Sequence, residues 1–126
     1  MKRTTIPQKT RLLVHQKYDG KCAYCGQELA YKDMQIDHLV PICRTYYDEE
    51  IYIGEKCINN FDNLMPSCSM CNRYKSCFDI ENLRKGLITL HKRVESNWHF
   101  RMGVKYGIIP SNEIIPFDGK FHFEKQ

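Results

Sequence analysis

The 126 residues carry 19 Lys and Arg against 15 Asp and Glu, a net charge of +4, with 42% hydrophobic and 27% charged residues. That mixture is globular rather than disordered or fibrous, and no run approaches the ~18 consecutive apolar residues of a membrane span. The opening M-K-R-T-T-I-P-Q-K-T holds no apolar leader core, so the seven cysteines are expected in a reducing, cytoplasmic setting that favours metal binding over disulfides.

Pro7 suits the first turn of a helix, Leu12, Leu13 and Tyr18 give it an apolar face, and Asp19-Gly20 stops it, which predicts a helix over 7–18. K-C-A-Y-C-G follows, a tight turn bracketed by Cys22 and Cys25, with Gly26 freeing the backbone. M-Q-I-D-H-L-V-P reads as a short strand ending near Pro41. Residues 43–62 form a long acidic connection without a period. N-L-M-P-S-C returns as a second strand into the pair Cys68 and Cys71, and a helix is expected to begin near Cys71 or Asn72. Behind Asp79, a candidate N-cap, Ile80, Leu83, Leu87, Leu90 and Val94 recur at helical spacing and predict a helix over 80–95 whose stripe is core. A short helix is expected around 98–106, and Asp118-Gly119 between apolar runs signals a hairpin. With no linker or repeat, the expectation is a single domain over 1–126, with a motif core at 22–75 and a helical and hairpin extension at 79–126.

The charge is unevenly spread. Residues 1–21 carry six Lys/Arg against one Asp, and residues 72–93 carry six against two acids, while residues 43–62 carry two against five. Two basic segments suit either a polyanionic partner or the solvated faces of ordinary helices, and the acidic segment 43–62 is where a protein partner, if there is one, would dock.

Cys22-x-x-Cys25 and Cys68-x-x-Cys71 are two knuckle-like pairs able to supply four thiolates to one tetrahedral Zn²⁺. Such a closed site does no hydrolysis itself; it fastens distant segments and supplies folding energy. Cys43, Cys57 and Cys77 read as ordinary cysteines, with a second metal site or a Cys43–Cys57 contact as the other reading.

Between and just after the knuckles lie Ile36-Asp37-His38-Leu39-Val40-Pro41, Asn63-Leu64, and Asn72 with Lys75. In that order, inside that cysteine frame, these resemble the HNH nuclease family. The chemistry of the residues agrees. His38 can act as a general base near neutral pH, and Asp37 and Asn72 offer hard oxygens suited to Mg²⁺ or Mn²⁺. The resemblance implies the same roles, with Asn63 bracing the loop and orienting His38. It also implies an α+β fold, a small ββα-metal core of two strands and a helix with flanking helices and a Cys₄ zinc site, in an endonuclease acting on DNA. Lys75, on the same helix face as Asn72, is a candidate DNA-phosphate contact, with Arg73 and Arg44 as weaker ones.

Two departures stand out. The third letter of the family name is Asn here rather than His, and the connection after Pro41 is long and acidic. Its Tyr46, Tyr47 and Tyr52 would either stack on bases or pack the loop onto the domain. The rival readings are a zinc-dependent module that binds nucleic acid without cutting it, and an interaction protein docking through the acidic loop.

Overall fold

The computed structural model describes residues 6–41 and 60–126. Cys43, Arg44, Cys57, the three loop tyrosines and nearly all of the acidic connection lie outside the described residues. The described elements are α1 (Gln8–Gln16), β1 (Gln35–His38), β2 (Leu64–Ser67), α2 (Ser69–Lys75), α3 (Ile80–Ile88), α4 (Leu90–Ser96) and α5 (Trp98–Lys105), with 3₁₀ turns at Tyr31–Asp33, Phe61–Asn63 and His122–Lys125. The fold is α+β. Contacts divide the chain into two compact units, residues 1–80 with 121–126, and residues 81–120.

In the first unit β1 and β2 pair antiparallel, with Gln35 opposite Ser67 and His38 opposite Leu64. All four residues of β2 are buried, so the strand is core on both faces. The knuckle is built from backbone. Cys22 N–H donates to Gln27 O, Gly26 N–H to Cys22 O and Ala23 N–H to Pro66 O, which docks the turn on β2. Gly26 is required there twice over: its φ is +77°, and a Cβ would come within 2.9 Å of His122 Nδ1. Val14, Ala23, Tyr24, Leu29, Met34, Leu64, Met65 and Phe121 fill the core.

The tail does not form the expected hairpin. No described residue between 106 and 126 is in a strand. Asp118 Oδ1 accepts from Lys120 N–H, a local turn. Beyond it, Phe123 N–H and His122 N–H donate to Ala23 O and Tyr24 O of the knuckle. Phe121 and Phe123 pack edge-on against Tyr24, at 5.8 and 6.1 Å between centroids. Burial of Phe121 and the packing of Phe123 on Tyr24 outweighed the pairing that the turn residues suggested.

In the second unit the helix expected over 80–95 is two, α3 and α4, divided at Thr89. The Thr89 hydroxyl bonds back to the carbonyls of Lys85 and Gly86, and Arg93 Nη2 donates to Gly86 O. A β-branched hydroxyl residue three positions after a glycine thus ends α3 while the apolar spacing runs on. Within α5, Gly103 lets Ile109 approach to where a Cβ would meet its Cδ1 at 2.8 Å.

Candidate active site

The four knuckle cysteines converge. Their sulfurs all lie within 4.8 Å of one another, and Cys25 and Cys68 are 4.0 Å apart. Ligands about 2.3 Å from a tetrahedral zinc would sit about 3.8 Å apart, so the set fits that ion. Backbone donors surround the sulfurs: Cys68 N–H points at Cys22 Sγ and Cys71 N–H at Cys68 Sγ, each 3.4 Å away. The second contact makes Cys68 the N-cap of α2, which is why the helix starts at Ser69, two residues earlier than the spacing suggested. The Cys22 thiol is pulled down to about 4, chiefly by its hydrogen bond with Cys71, while burial lifts Cys25 to about 11. One ready thiolate beside protonated neighbours is a donor set that a dication completes by displacing protons. Cys77 is exposed, in no disulfide and outside this cluster.

Successive side chains of a strand point to opposite faces; in β1 Asp37 is buried and His38 half-buried. Asp37 and His38 therefore leave the strand on opposite faces. Asn63 is buried and pins the chain just past His38: its Oδ1 accepts from Val40 N–H at 2.7 Å and its Nδ2 donates to Val40 O at 3.2 Å. Its own carbonyl accepts from Leu39 N–H. Lys17 steadies the turn carrying Asn63, its Nζ donating to Phe61 O and Leu64 O at 2.8 and 3.0 Å.

Helix α2 meets this strand. Asn72 Nδ2 donates to Gln35 Oε1 at 2.6 Å, and Lys75 Nζ lies 3.0 Å from Asp37 Oδ2 and 2.9 Å from His38 O. The Tyr24 hydroxyl also donates to Asp37 Oδ2. The Tyr24 phenol is held protonated well above its ordinary range, first by burial and then by the Asp37 charge.

The DNA-phosphate expectation for Lys75 is corrected by these contacts. Lys75 is 0% exposed and paired to a carboxylate and a carbonyl, so its ammonium reaches no surface phosphate. Removing one partner of such a pair strands a buried charge and costs about 3–5 kcal/mol. Lys75→Ala is accordingly expected to lower unfolding free energy by about that amount in a urea titration. Arg73, on the same helix, is exposed. Arg44 lies outside the described residues.

Two residues were not singled out from sequence. Gln35 shares its strand face with Asp37 by the period of two, a signal that was present. Tyr24 gave none, because its partner is thirteen residues away on another element.

Two short antiparallel strands, a following helix and a four-cysteine cluster define a ββα-metal fold of the HNH type. Residues 22–77 match the family model for HNH endonuclease. Among curated proteins the chain is 30% identical over 60 residues to the CRISPR-associated endonuclease Cas9 of Corynebacterium diphtheriae, covering 48% of this chain and 5% of that protein. The chain thus spans a small fraction of that relative's length. No solved structure matches. No helix among the described residues is long and apolar enough to cross a membrane.

Proposed function

We propose that this chain is a divalent-metal-dependent endonuclease that hydrolyses DNA phosphodiester bonds, with a structural zinc on Cys22, Cys25, Cys68 and Cys71. The observation that carries the reading is the double join of β1 to α2, Gln35 to Asn72 and Asp37 to Lys75, which draws the Asp-His strand and the Asn helix together. Both bonds to Asp37 fall on Oδ2, so Oδ1 is engaged by neither. The Asn72 amide uses its Nδ2 toward Gln35, so Oδ1 takes no part in that bond. Two hard oxygens offered this way suit Mg²⁺ or Mn²⁺, with Asp37 and Asn72 as the residues that would hold it. When bound, such an ion neutralises charge at the scissile phosphate and the leaving oxygen. His38 accepts the proton of the attacking water, and Asn63 keeps the backbone behind it from shifting. Arg73 is retained as a phosphate contact, and residues 81–120 are taken as an extension of the nuclease domain.

Incubating plasmid with the zinc-loaded protein and Mg²⁺ tests this. Cleavage supports the reading; retardation without cleavage makes the chain a binding module, and neither outcome leaves a protein-docking role. Within that assay Asn72→Ala is expected to lower cleavage by at least the roughly 10–100-fold typical of disturbing a metal site. Its melting temperature and zinc content should stay close to those of the parent, because the bond it loses is exposed. An Asn72→Ala protein that cuts normally but melts early would reduce the residue to a structural one.

A further inference from the structure

We infer that Tyr24 is a positioning residue for Asp37, so that the cysteine knuckle aims the ligand carboxylate of the active site as well as fastening the chain. The inference rests on the nuclease reading given above for Asp37.

Tyr24 lies between Cys22 and Cys25, the tightest part of the knuckle. Its backbone is fixed on both sides, with Ala23 N–H bonded to Pro66 O and Tyr24 O accepting from His122 N–H. Its ring is set by Phe121 and Phe123, both edge-on to it. Tyr24 is 4% exposed, so its hydroxyl has little recourse to water and donates to Asp37 Oδ2. Lys75 Nζ meets the same oxygen from α2. Two donors arriving at Oδ2 from different elements fix the rotation of the carboxylate and leave Oδ1 as the oxygen to present. With Lys75 alone, the group keeps its counter-charge but loses one of the two directions that define its orientation. Outer-shell hydrogen bonds of this kind commonly govern metal affinity by 10–100-fold.

Tyr24→Phe removes the hydroxyl and keeps the ring, so the aromatic packing persists. Mn²⁺ binding to the zinc-loaded protein, followed by electron paramagnetic resonance with and without a short phosphorothioate duplex, is expected to weaken about 10-fold. Zinc content and duplex retardation should match the parent. A wild-type protein labelled at tyrosine Cζ gives a second readout independent of any variant's folding: Mg²⁺ should shift the Tyr24 resonance, assigned by its loss of the phenol signal in Tyr24→Phe. Equal Mn²⁺ affinity in Tyr24→Phe and parent, or a Tyr24 resonance that Mg²⁺ leaves unmoved, overturns the positioning role while leaving the nuclease reading intact. A parent that binds no Mn²⁺ under either condition overturns both.

Discussion

Cys68→Ser should lose its bound zinc and its cooperative melt together. Cys68 is the cysteine with the most structural duties: its sulfur belongs to the cluster and caps α2 through Cys71 N–H, and its N–H points at Cys22 Sγ. The serine oxygen is a harder donor on a shorter bond, poorly matched to a site of three remaining thiolates. Structural zinc sites of this class contribute on the order of 10–16 kcal/mol of apparent binding free energy, more than the 5–15 kcal/mol net stability of an ordinary domain. Losing most of that leaves β2 and α2 without the clamp that ties them to the knuckle. Metal analysis per chain and a circular-dichroism melt check the expectation; a Cys68→Ser protein with full zinc and a native transition would contradict it.

His38→Ala should abolish most cleavage while leaving the protein folded and able to retard DNA. The half-buried side chain lies on the face of β1 opposite Asp37, and the contact Lys75 makes at this position is to the backbone carbonyl, which alanine retains. Strand pairing with Leu64 is likewise a backbone matter. Loss of a general base typically costs 10²–10⁴-fold, so the residual rate should lie roughly in that range below the parent. Single-turnover cleavage of a labelled duplex measures it, with retardation and melting as controls. A His38→Ala enzyme cutting within a few fold of the parent would remove His38 from the role of base.

What the sequence disclosed was local. The two cysteine pairs, the Asp-His strand and the return strand are short patterns whose meaning is carried by neighbours along the chain; both strands form, although β1 ends at His38 rather than near Pro41. The opposite facing of Asp37 and His38 follows from strand period alone. What stayed hidden was decided by partners far along the chain. A lysine three residues beyond Asn72 reads as a surface cation; only the fold reveals Asp37 and the His38 carbonyl waiting for it in the core. The tail reads as a hairpin because Asp-Gly is a strong turn signal, yet the aromatics after it answer to Tyr24 nearly a hundred residues earlier. The division at Thr89 was masked because the apolar stripe continues through it while the backbone does not.

The first unit is interrupted: it holds residues up to 80, then 121–126, with 81–120 strung between. Phe121, 1% exposed, and the two backbone bonds from His122 and Phe123 therefore reach the knuckle only after residues 81–120 have been made. Until they emerge, the ring of Tyr24 lacks one wall and the knuckle carbonyls at 23 and 24 lack their donors. The nascent chain can gather its thiolates early, but the knuckle gains its last donors and its aromatic wall only after synthesis has passed residue 123.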